Sequence, residues 1–139
     1  MNATDKDGWS ALIWAVSKSR TDMAKLLIEK GADLKIKDMS GRTALIYAAT
    51  YNMTDIADLL IEKGAHLNVK DSDGRTPLIW AAYKGSTNTA KILIGKGADL
   101  NKKDRYEKTA LMYAASHNNT DIAQLLTGKG ADLNVKSTL

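Results

Sequence analysis

No cysteine occurs among the 139 residues, which removes disulfides, thiol catalysis and cysteine-ligated zinc at a stroke. Long apolar runs are missing too. The stretch "ALIWAV" at 11–16 is about a third of the ~20 residues needed to span a bilayer. The opening "MNATDKDG" has neither the basic start nor the apolar core of an export signal, so a cytoplasmic setting is expected. Only one proline is present. The net charge is +4, and the excess is spread along the chain. Nucleic-acid binders gather such charge into a stripe, so neither nucleic acid nor membrane is an expected partner.

What is present is self-similarity. Shifted so that Asp5 falls on Asp38, the chain aligns with itself as units 5–37, 38–70, 71–103 and 104–136, together expected to form one domain over 1–139. Each unit opens on an aspartate (Asp5, Asp38, Asp71, Asp104) and closes on a lysine (Lys37, Lys70, Lys103, Lys136). A fixed period of this length marks a stacked architecture, because one such unit cannot bury its own apolar face.

Within a unit, "DKDG", "DMSG" and "DSDG" place Asp first and Gly fourth, the preference of a type I turn. Ser10, Thr43, Thr76 or Thr109 follows, a hydroxyl able to cap a helix, and Pro77 sits where a first helical residue needs no N–H. A second helix is expected from Thr21, Thr54, Thr87 and Thr120 as caps, ending at Gly31, Gly64, Gly97 and Gly130. Ser19, Asn52, Gly85 and Asn118 stand at the turn between the helices.

Turn, helix, turn, helix and loop within each unit resembles the ankyrin-repeat family, as "DSDGRTPLIWAA" and "LLIEKGADLK" show best. The family's Thr-Pro-Leu-His-x-Ala pattern is matched by Thr76, Pro77, Leu78 and Ala81. Its histidine is absent, with Ile13, Ile46, Ile79 and Met112 in its place. The resemblance implies an all-α solenoid of four helix-turn-helix units with hairpin-like fingers. Two departures stand out. Glu107 replaces the turn glycine, so the last finger is expected to be distorted, and His66 replaces an aspartate, so the second loop is expected to be held differently.

One slot of the first helix is always aromatic: Trp14, Tyr47, Trp80, Tyr113. On a helical wheel Trp14 lies opposite the stripe of Leu12, Ala15 and Val16. Two expectations coexist, an exposed contact ladder or large rings wedged between neighbouring helices with an edge showing. The resemblance implies a concave protein-binding face made of first helices and fingertips. Its candidate residues are Trp9, Trp14, Lys18, Arg42, Tyr47, Tyr51, Arg75, Trp80, Tyr83, Lys84, Tyr106, Lys108, Tyr113 and His117. Aromatic and arginine side chains dominate binding hot spots, so a partner with acidic and apolar features fits.

No catalytic constellation is visible. His66 and His117 lack partners at ligand or triad spacing, the periodic aspartates serve turns and not a calcium loop, and no phosphate-cradling loop exists. Neither enzyme activity, cofactor nor metal is expected. Sequons at Asn2, Asn52 and Asn118 are read as coincidence. Neither terminal unit is obviously polar on its outer face, which leaves three readings open: a fragment of a longer array, an engineered array, or ends that meet other chains. The runner-up functions are accordingly self-association through those ends and a targeting part of a larger protein.

Overall fold

The computed structural model describes residues 1–134; the closing Lys136 lies outside them. Eight helices form among the described residues: α1 (Ala11–Ser17), α2 (Thr21–Glu29), α3 (Ala44–Thr50), α4 (Thr54–Glu62), α5 (Pro77–Lys84), α6 (Thr87–Gly95), α7 (Ala110–Ser116) and α8 (Thr120–Gly128). Each odd-numbered helix packs on the even-numbered one that follows it, and the pairs stack in order. The odd helices make one layer and the even helices the other.

The first helices start as the sequence predicts. Ser10 Oγ accepts the N–H of Ile13 at 3.2 Å, and Thr43, Thr76 and Thr109 do the same for Ile46, Ile79 and Met112. The second helices do not. Thr21, Thr54, Thr87 and Thr120 are their first helical residues, and the cap positions fall to Arg20, Met53, Ser86 and Asn119, none of which caps with its side chain. The tightness of the connection explains the shift. Ser19, Asn52, Gly85 and Asn118 each adopt a left-handed conformation, and the next residue's N–H folds back onto a carbonyl of the first helix, as Met53 does onto Ala48 at 2.9 Å. The cap side chain is then free to reach the preceding pair. Asn119 Nδ2 donates to Ala82 O at 2.7 Å and Ser86 Oγ to Thr50 O at 3.4 Å.

The core runs the length of the stack. Leu12, Leu45 and Leu78 are buried in the inner layer, and Ile56, Leu60, Leu93, Ile122 and Leu126 in the outer one. Alanines such as Ala48, Ala81 and Ala114 are fully covered, letting the inner helices approach closely. Ile13, Ile46 and Ile79, which stand in place of the family's histidine, are also fully buried. They contribute apolar area at about 25 cal/mol per Å².

The two expected departures have different outcomes. In three loops an aspartate (Asp33, Asp99, Asp132) accepts the N–H two residues ahead and donates its own N–H to an asparagine of the preceding loop or the N-terminal segment (Asn68, Asn101 and Asn2). In the second loop His66 and Lys35 occupy both halves of that pairing, and neither bond forms, so this loop is indeed held differently. The last finger, by contrast, is not distorted. Glu107 takes a φ of 63°, its N–H reaches Asp104 O at 3.0 Å, and Asp104 N–H reaches Lys108 O at 2.9 Å, as in the other fingers. A Cβ is tolerated here because no further finger stacks on it among the described residues. Added to Gly41, a Cβ would lie 2.9 Å from the backbone nitrogen of Ser72 in the next finger. The backbone penalty for a non-glycine residue, about 1 kcal/mol, remains.

Candidate functional site

The face formed by the fingers and first helices begins with the aspartate that opens each unit. Asp38 Oδ1 accepts the N–H groups of Ser40 and Arg42, both at 2.9 Å, and so closes the finger turn. Its other oxygen accepts the hydroxyl of Tyr47, nine residues on. The arrangement recurs in every unit: Trp14 Nε1–H donates to Asp5 Oδ2 at 2.9 Å, Trp80 Nε1–H to Asp71 Oδ2 at 2.7 Å, and the Tyr113 hydroxyl to Asp104 Oδ2. One carboxylate thus ties a finger to the face of its own helix. Sequence reasoning assigns these aspartates to the turn alone. The missed signal is chemical: the aromatic nine residues later always carries an N–H or O–H, and the chain contains no phenylalanine at all.

These bonds decide how much ring is on offer. Tyr47, Trp80 and Tyr113 are only 6%, 7% and 5% exposed, whereas Trp14 is 44% exposed. The wheel rightly turns all four from their own helix's core stripe, but one helix in isolation does not show that the preceding pair covers that side. Trp14 has no preceding pair. The expected ladder of partly exposed rings is therefore narrowed to Trp14, and the other three form a wall.

The basic residues Arg42, Arg75 and Lys108 recur at the same place in successive fingers and form a column beside the rings, and its arginines are also built in. Arg75 Nε lies 3.4 Å from Asp104 Oδ2 of the next unit, its Nη2 donates to Tyr113 Oη at 3.1 Å, and its guanidinium sits 5.0 Å from the Trp80 ring and 5.1 Å from the Tyr83 ring. Arg42 repeats this one unit earlier. Its guanidinium lies 4.9 Å from the Trp80 ring, and its buried Nε sits 3.6 Å from Asp71 Oδ2, an ion pair without a hydrogen bond. Both arginines staple adjacent units, with cation–π attraction added to charge. Lys108, the last of the column, is exposed, 5.7 Å from the Tyr113 ring.

Proton affinities follow from these contacts. Burial, reinforced by the bond to a carboxylate, pushes the Tyr47 and Tyr113 hydroxyls up to about 12. Burial alone would raise the Asp104 carboxyl, yet donors from Tyr113, the backbone of Lys108 and Tyr106, and Arg75 outweigh it and hold it below its ordinary value. Asp5 is lowered as well, first by the backbone N–H of Trp9.

Against this wall lie the accessible groups. Trp9 packs on Trp14 and Tyr47 with ring centroids 4.6 and 5.6 Å away. Tyr51 stacks on Tyr47 at 6.4 Å, Tyr83 meets Tyr113 edge-on at 5.2 Å, and His117 lies 4.8 Å from Tyr83. Lys18 and Lys84 hold their ammonium groups 5.5 and 5.7 Å from Trp14 and Tyr83. Tyr106 projects from the last finger, 5.3 Å from the exposed Arg105 guanidinium. With Arg42 bridging Tyr47 and Trp80, rings and cations run without a break from the first unit to the fourth.

A family model for ankyrin repeats in three copies matches residues 1–71 and again residues 66–137. The chain belongs to the ankyrin-repeat family. No curated protein matches it. Ankyrin repeats are generally protein–protein interaction modules, and the all-α stack found here is theirs. No helix among the described residues is long and apolar enough to cross a membrane.

Proposed function

We propose that residues 1–139 form one ankyrin domain, with units 5–37, 38–70, 71–103 and 104–136, that binds a partner protein on its concave face without catalysing a reaction. The observation that carries this reading is the unbroken strip of rings and cations backed by a hydrogen-bonded wall. A rigid aromatic surface binds with little loss of side-chain freedom. The contacts in this reading are Trp9, Trp14, Tyr51, Tyr83, Tyr106 and His117, with Lys18, Lys84 and Lys108 favouring acidic groups on the partner. Tyr47, Trp80, Tyr113, Arg42 and Arg75 act behind them by fixing position. The 139 residues without cysteine suit a reducing compartment such as the cytoplasm.

The test is capture of partners by the intact chain beside a variant with Trp9, Tyr51, Tyr83 and Tyr106 all changed to alanine. Among the described residues these side chains make no hydrogen bond through their ring polar atoms, but Trp9 and Tyr83 pack against the core, so the variant should lose stability as well as the partner, and capture is compared at a temperature where its helical circular dichroism is intact. Equal capture by the folded variant would reject the concave face.

A further inference from the structure

One loop lacks a tie that the other three share. In those, the N–H of Asp33, Asp99 or Asp132 is accepted by Oδ1 of Asn2, Asn68 or Asn101, and the aspartate itself accepts the N–H two residues on at 2.9 Å. The second loop has Lys35 and His66 at the positions of the two acceptors. Among the described residues no protein atom accepts the N–H of His66 or of Asn68.

The same two substituted residues line a cleft of about 170 Å³, together with Lys37 and the apolar Leu34, Ala65 and Val69. Leu34 and Ala65 pack on the core, which holds the apolar side of the cleft in place. No carboxylate lines it. Among the described residues Lys35, Lys37 and His66 form no ion pair. The flanking acids are spent elsewhere: Asp33 accepts the Lys35 N–H, and Asp38 accepts from Ser40, Arg42 and Tyr47.

Two N–H groups without acceptors, beside three basic side chains, suit an anion, since bonds to a charged oxygen are about twice as strong as neutral ones. The apolar lining suits a hydrocarbon group joined to that anion. The cleft is smaller than the roughly 300 Å³ at which sites for larger organic ligands begin, so one aliphatic side chain fills it. A carboxylate with a single apolar side chain directly beside it is what the last residue of a peptide carries. An internal aspartate or glutamate has no such group, and neither has phosphate.

We propose that this cleft binds the C-terminal carboxylate of a peptide whose last residue is aliphatic. The carboxylate oxygens stand in for the missing asparagine and aspartate acceptors, and the side chain lies against Leu34, Ala65 and Val69. Capture of a chain end by backbone N–H groups is a recurrent mode of peptide recognition. The three tied loops are the internal template, because each already holds an oxygen at the equivalent N–H groups.

The probe is an acetylated tetrapeptide ending in leucine with a free carboxylate, added to the isotope-labelled chain while backbone amide shifts are followed by NMR. The His66 and Asn68 amides should move downfield and saturate, whereas those of Asp99 and Asp132, already accepted, should stay in place. The same peptide with an amidated end should bind about tenfold more weakly, and so should one ending in glycine. Lys35→Asn combined with His66→Asp rebuilds the tie of the other loops and should abolish binding with the fold intact. Unshifted His66 and Asn68 amides, equal binding of the amidated peptide, or retained binding by the double variant would overturn the proposal. So would inorganic phosphate, or a peptide with an internal glutamate and an amidated end, that binds as tightly as the leucine peptide. None of these outcomes bears on the strip of rings and cations, whose residues lie outside the cleft.

Discussion

Tyr47→Phe removes one oxygen and nothing else, and the structure makes it costly. The lost hydroxyl donates to Asp38 Oδ2 on a carboxylate that is itself buried, and the other oxygen is already committed to the N–H groups of Ser40 and Arg42. Hydrogen bonds to a charged group contribute about 1.5–3 kcal/mol. Taking about 2 kcal/mol and an unfolding entropy near 2.1 cal/mol/K per residue, the melting temperature of a chain of this length should fall by about 7 °C. Tyr51→Phe is the control. Its ring is exposed, and the change should stay within about 0.5 kcal/mol. In an Asp38→Asn background the Tyr47→Phe cost should drop by about half, because charge-assisted bonds are roughly twice as strong as neutral ones. Thermal and urea unfolding of these proteins gives every value needed. A Tyr47→Phe protein no less stable than Tyr51→Phe would refute the idea that the aspartates hold the aromatic wall.

Further outcomes follow from the same contacts. Tyr47 and Tyr113 are more easily kept protonated in the fold, with values raised from 10.0 to about 12. Their stabilisation is whole below pH 10 and lost as pH rises toward 12, so ultraviolet titration should show two phenols ionising late and stability declining across that window. Asp104 is shifted the other way, from an ordinary 3.8 downward. Its contribution is complete above that value and disappears as pH falls through the lower folded one, and Asp104→Asn should flatten the acid limb of a stability–pH profile. Glu107→Gly relieves a left-handed residue and should stabilise the chain by about 1 kcal/mol or less, measurable as a rise in urea midpoint with unchanged circular dichroism.

The sequence disclosed the architecture because each unit repeats its punctuation. Hydroxyl caps at Ser10, Thr43, Thr76 and Thr109, and left-handed residues between the helices, appear where local chemistry requires them. The second helices begin at the threonines and not after them, since the cap residue's N–H is consumed by the turn and, at Ser86 and Asn119, its side chain by the neighbouring pair. That neighbour lies a full unit away along the chain, beyond any local rule. The same limit applies to the site. A wheel places Tyr47 opposite its own core stripe, but only stacking reveals that the first pair buries it, or that Arg75 is spent on Asp104 and Tyr113. Glu107 was legible as an anomaly, and its tolerance became clear only from what presses on Gly8, Gly41 and Gly74.

In the proposed division of labour, buried aromatics hold the wall, and the more accessible Tyr51, Tyr83 and Tyr106 beside it meet the partner. Site-specific photocrosslinking separates the two roles, with the reactive group placed in turn at Tyr51, Tyr83 and Tyr106 on the finger and first-helix side and at Asn88, which is exposed on α6 of the other layer. The three positions on the finger and first-helix side should crosslink one and the same protein, and Asn88 should not. Crosslinks from Asn88 alone would contradict it.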